Sequence, residues 1–112
     1  MTPYELKLAT TKQLRAAREA MLELEYLLAL EKLSPAERRQ AALQLSGVQL
    51  AYLRLRAAKI VDIRGKLVAN DRELKAGLKS LERALKDFKQ AKRIISAVGT
   101  VLGIVGRILP AT

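Results

Sequence analysis

The sequence predicts an all-α fold: an antiparallel helical hairpin followed by a long third helix, assembled as an oligomer. Three observations carry this. Helix formers, with Leu and Ala foremost, fill the 112 residues, and half of the chain is hydrophobic. The three prolines, Pro3, Pro35 and Pro110, fall only where helices begin or end. Apolar residues recur at spacings of three and four throughout. Aromatics supply only 4% of the residues (Tyr4, Tyr26, Tyr52 and Phe88), so aliphatic side chains must fill the core.

The first helix is expected from Glu5 to Leu33, with Pro3 in its first turn. Tyr4, Leu8, Leu14, Ala17, Met21, Leu24, Leu28 and Leu30 form its stripe. Ser34-Pro35-Ala36-Glu37 then reads as a capping box with proline at the first helical position. So short a connection favours an antiparallel hairpin. The second helix places Leu43, Leu50, Leu53, Ala57, Ile60 and Leu67 on its expected inner face. In a hairpin folded at Ser34, Leu14 and Ala17 then meet Leu50 and Leu53, and Leu24 meets Leu43 and Leu45.

The next boundary has two readings. Asn70-Asp71-Arg72-Glu73 repeats the cap-x-x-Glu pattern, and Gly65 is suited to ending a helix. The heptad run Ile60, Leu67, Leu74, Leu78, Leu81, Leu85, Phe88 nevertheless continues straight through. One architecture is a three-helix bundle. The other packs a short helix on one very long helix, whose distal stripe of Leu74, Leu78, Leu81, Leu85 and Phe88 then demands an oligomeric partner. The chain accordingly divides into a hairpin (1–69), a cationic amphipathic helix (70–93) and an apolar C-terminal helix (94–112).

Charge narrows the class of partner. Lys and Arg number 21 against 11 Asp and Glu, a net charge of +10. Self-repulsion of that size favours an anionic partner, nucleic acid or a lipid headgroup. The excess is uneven: residues 1–33 are balanced, whereas residues 34–70 carry seven positive charges against two negative. Residues 71–93 set Arg72, Lys75, Lys79, Arg83, Lys86 and Arg93 opposite the leucine stripe, with Lys89 and Lys92 at the end.

After Arg93 the charges stop until Arg107. On a helical wheel Ile95, Val98, Leu102, Val105 and Leu109 lie on a bulky apolar half, while Gly99, Gly103 and Gly106 lie on a nearly bare one. Glycine in a soluble helix costs up to about 1 kcal/mol relative to alanine, so three in eight residues need a reason. Gly99-x-x-x-Gly103 has the small-residue spacing that permits close helix packing in a bilayer. Lys86, Lys89, Lys92 and Arg93 precede it, where they would meet anionic headgroups or phosphates. At roughly 25 Å, the helix from Ile94 to Pro110 is at the short limit for a span. Burial inside a protein assembly or in the chain's own core are the competing readings.

Catalysis is not expected. The chain has no Cys and no His, which removes disulfides, thiolate and imidazole metal ligands, imidazole bases and thiol nucleophiles. Gly99, Gly103 and Gly106 lack the Lys-Ser/Thr that completes a phosphate-binding loop. No catalytic residue, cofactor or metal is assigned. Residues 1–33 contain no apolar core of a signal peptide, so cytoplasmic synthesis without Sec export is expected. The expected partners are a second copy of the chain, an anionic membrane and other assembly subunits. Nucleic acid is a further candidate, bound through phosphates without sequence specificity, since no helix-turn-helix, zinc finger or stacking platform is visible.

The heptads from Leu74 to Phe88, the junction Lys89-Gln90-Ala91-Lys92-Arg93 and the segment Ile94 to Leu109 resemble, in pattern, small phage-type helical proteins. These join a coiled-coil region to a C-terminal hydrophobic segment, as in the holin-associated haemolysin family and phage ejection proteins. The resemblance covers about half the chain and implies membrane association or incorporation in a particle. A shorter and glycine-striped apolar segment separates this chain from a typical holin-type anchor.

Overall fold

The computed structural model describes residues 1–110, and all regular structure within them is α-helical. Six helices follow in order: α1 (Pro3–Ala20), α2 (Leu24–Glu31), α3 (Pro35–Ala57), α4 (Ile60–Ala69), α5 (Asp71–Ala84) and α6 (Ala91–Ile108). Capping boxes open α1 and α3. The Thr2 hydroxyl accepts the Glu5 N–H at 3.1 Å while Glu5 Oε1 accepts the Thr2 N–H at 2.9 Å. Ser34 and Glu37 exchange the same pair at 3.2 and 3.1 Å. Pro3 and Pro35 sit in these first turns, where an N–H is dispensable.

The three long helices anticipated from periodicity are each interrupted. The first breaks at Met21–Glu23, where turn bonds from Leu22 N–H to Glu19 O and Glu23 N–H to Ala20 O keep the backbone paired. The break turns Tyr26 inward, where it is 1% exposed, and sends Leu24 and Leu28 outward. The second breaks at Ala58 and Lys59, which are extended. There Lys7 of α1 donates to the freed Ala58 carbonyl at 2.6 Å and to the Arg56 carbonyl at 3.5 Å, closing the end of α3 from across the fold.

The stripe from Ile60 to Phe88 does not form one rod. It stops at Asn70, and α5 ends at Ala84. Leu74, Leu78 and Leu81 are buried as expected, whereas Leu85 and Phe88 lie half-buried in the connection to α6. Asn70 marks the α4–α5 boundary without capping α5. Its Nδ2 donates to Lys66 O at 2.8 Å and its Oδ1 accepts from Arg107 at 3.3 Å. Gly65 lies inside α4 and ends nothing.

The face of α3 is corrected too. Its buried residues are Ala41, Gln44, Val48, Ala51 and Leu55; Leu43, Leu50 and Leu53 are exposed. Both α1 and α6 pack on α3. Small residues admit that double approach: a Cβ on Gly47 would touch Leu102 at 3.4 Å. Tyr52 stands half-buried on α3, with the guanidiniums of Arg18 and Arg56 each 6.0 Å from its ring centre.

Helix α6 is the hub. It packs on α2, α3, α4 and α5. Ile94, Val98, Val101, Ile104, Val105 and Ile108 join Leu6, Leu14, Leu55, Ile63, Leu67 and Leu74 in one core. Burial of the apolar half-wheel that the sequence displays is thus met within the chain, where it stabilises by removing aliphatic area from water.

Candidate functional site

Of the five apolar contact residues expected on α6 and just past its end, Ile95, Val98, Val105 and Leu109 are buried in the fold and Leu102 is half-buried. None of the helices among the described residues is long and apolar enough to cross a membrane. The glycines divide. A Cβ on Gly99 would stand 3.2 Å from Gln44 Nε2, so Gly99 serves close packing between α6 and α3 of the same chain. Gly103 and Gly106 face open space. Gly106 borders a shallow apolar groove of about 200 Å³ between α3 and α6, with Gly47, Leu50, Leu102 and Leu109.

The four expected cations are all exposed. Lys92 reaches Glu37 Oε2 at 3.7 Å. Hydrogen bonds from Ser34, first through its backbone N–H, hold the Glu37 carboxyl below the usual carboxylate range, and the Lys92 charge adds to this. Lys89 stands with Lys32 at a cleft of about 410 Å³ whose other lining includes Leu28, Ala29 and Leu33. The cations and the α6 apolar residues therefore do not form one continuous contact face: the cations stay outside and the apolar residues go in.

What the periodicity missed is the exposed apolar surface of α2 and of the turn before it. Leu22, Leu24, Leu27 and Leu28 are 55%, 68%, 43% and 50% exposed. A signal for it was present. Met21 to Leu33 holds too many large apolar residues for one inward stripe, so an amphipathic helix there must leave some outside. Lys32 and Lys89 border this apolar surface, and Glu25 is the acidic residue in the cleft. Leu43, Leu50 and Leu53 form a second apolar row along α3.

Tyr26, on the inner side of α2, has a hydroxyl without a hydrogen-bond partner in the fold, and burial pushes its pKa up to about 12. No group of three or more potential metal-ligating side chains occurs among the described residues. The arrangement offers surface chemistry: apolar side chains held out in water, with Lys32 and Lys89 at one end and Glu23, Glu25 and Glu31 along the helix. Comparison with protein-family models, curated proteins and solved structures finds no match for this chain.

Proposed function

We propose that this is a non-enzymatic, self-associating helical protein that acts at anionic membrane surfaces, with α2 as the docking element. The observation that carries the reading is the exposed leucine face of α2 beside Lys32 and Lys89. Exposed leucines gain by leaving water, and each cation near an anionic bilayer contributes about 1 kcal/mol. Helix α2 carries Glu25 and Glu31 and follows Glu23, so its exposed leucines supply the contact with the interface while Lys32 and Lys89 at one end supply the attraction to anionic headgroups. Helix α6 supplies the rigid core beneath, so the contact is assigned to α2 and not to Ile95, Val98 or Leu102.

Co-flotation of the full chain with vesicles tests this. The protein is expected to float with mixed phosphatidylcholine–phosphatidylglycerol vesicles and to stay behind with phosphatidylcholine alone. Leu24→Asp combined with Leu28→Asp, both exposed, should abolish flotation while leaving the helical circular dichroism spectrum intact. Undiminished flotation of that variant would remove α2 from the role.

Self-association is supported separately by the exposed α3 row and by the groove containing Leu50 and Gly106. Sedimentation is expected to show an oligomer that Leu50→Glu dissociates; a wild-type monomer at all concentrations overturns this part.

A further inference from the structure

A second site lies between α5 and α6. The two helices run antiparallel, so Glu73 meets Arg107, Gly77 meets Val101 and Ile104, and Arg83 and Arg93 line one cleft. Gly77 brings the pair close, a Cβ there lying 3.4 Å from Ile104 Cδ1. Where the contact opens, Ser80 and Arg83 face Arg93, Ser96, Ala97 and Thr100 across a cleft of about 360 Å³. Its lining is mostly polar and its side chains between the two arginines are small, so the space stays open.

The charge in this cleft is uncompensated. At the far end of the same helix pair Arg107 is neutralised by Glu73 at 2.6 Å and steadied by Asn70. No carboxylate among the described residues pairs with Arg83 or Arg93. The nearby acids are turned elsewhere: Glu82 lines the cleft between α1 and α5, and Asp87 accepts the Lys89 N–H at 3.0 Å. Lys86, one turn beyond Arg83, adds positive charge. Two guanidiniums that line one cleft without a paired carboxylate favour an anion between them.

We propose that this cleft binds a phosphoryl group. The guanidiniums of Arg83 and Arg93 would clasp its oxygens, each in the two-pronged geometry suited to phosphate, and the Ser80 and Ser96 hydroxyls would donate to the oxygens that remain. The group belongs to free phosphate or to the exposed phosphomonoester headgroup of an anionic lipid. The site does not depend on the α2 docking reading, since free phosphate reaches it without a bilayer.

Titration of isotopically labelled full-length protein with inorganic phosphate, at constant ionic strength, tests the cleft by NMR. Saturable shifts are expected at Ser80, Arg83, Arg93 and Ser96. Arg83→Gln and Arg93→Gln should each weaken binding about tenfold or more; Arg72→Gln, on the exposed surface, should not. Ser96→Leu keeps both charges and fills the cleft, and should block binding as well. Shifts that grow linearly, or that spread evenly over the basic surface, overturn the proposal, as does full binding by Ser96→Leu.

Vesicles then separate the two sources. Preference for phosphatidic acid over phosphatidylglycerol, lost in the Arg83→Gln/Arg93→Gln variant, assigns the site to a lipid headgroup. Saturable phosphate binding with no such preference assigns it to free phosphate. If no vesicle recruits the protein while the titration saturates, the α2 reading fails and the cleft stands.

Discussion

Gln44 donates from Nε2 to the Ile95 carbonyl at 2.8 Å, tying α3 to the core helix. Its other side-chain atom, Oε1, is buried without a partner. The amide fits because α6 carries glycine at position 99, whose missing Cβ would stand 3.2 Å from that same nitrogen. The glycines of α6 should therefore respond differently to alanine. Gly103→Ala and Gly106→Ala, facing open space, should each stabilise by up to about 1 kcal/mol through helix propensity. Gly99→Ala should gain less or lose stability, because Gln44 must give way. Chemical denaturation midpoints of the three variants measure the contrast.

Tyr26 binds its proton more tightly folded than unfolded, since burial disfavours the phenolate. A raised folded pKa means stability that is fully present below pH 10 and lost as pH rises from 10 toward about 12. Tyr26→Phe should flatten the alkaline limb of a thermal-melting profile. Removing a hydroxyl that lacks a partner should also stabilise at neutral pH, by about 1 kcal/mol.

Ser34 and Glu37 give the opposite pH sign. The Glu37 pKa is lowered on folding, so its contribution is present above the ordinary carboxylate pKa and lost as pH falls through the folded value. Glu37→Gln should make stability less sensitive to acid below about pH 4.5. Ser34→Ala, which removes the cap itself, should cost about 1 kcal/mol at neutral pH. Melting temperatures across an acid series check both.

Lys7 joins α1 to the end of α3 across 51 residues of sequence through the Ala58 carbonyl. Lys7→Met retains the aliphatic stem and removes the donor. It should destabilise by about 1–2 kcal/mol and raise hydrogen exchange first at the α3–α4 junction.

The all-α class and both proline-led helix starts were legible because their causes are local: helix propensity, the fit of proline to a first turn and, at Ser34, a hydroxyl three residues before a glutamate. The three interruptions were not. Met21–Glu23, Ala58–Lys59 and Leu85–Gln90 contain neither glycine nor proline, so no residue type in them marks a break, and contacts distant in sequence, such as Lys7 on the Ala58 carbonyl, accompany them. The inversion of α3 has a similar origin. Hydropathy ranks Leu43, Leu50 and Leu53 above Ala41, Gln44 and Ala51, but two helices crowd onto α3 and select the small side chains. The apolar half of α6 was legible as a pattern, while its partner was not, because a stripe of Ile and Val meets lipid, a second chain or its own core on equal terms. The α2 face escaped notice because its leucines were absorbed into a helix that the fold breaks.

The central position of α6 has a consequence for how the protein comes into being. All five other helices precede it in the order of synthesis, and the groove that it fills runs among α2, α3, α4 and α5. Until Ala91 to Ile108 clear the ribosome, the faces of α3, α4 and α5 that pack on α6 lack that partner. The nascent chain must travel with an open aliphatic seam, exposed to chaperones and to other unfinished copies. Assembly of this core consequently waits on α6, which closes a groove that the five helices before it have already formed.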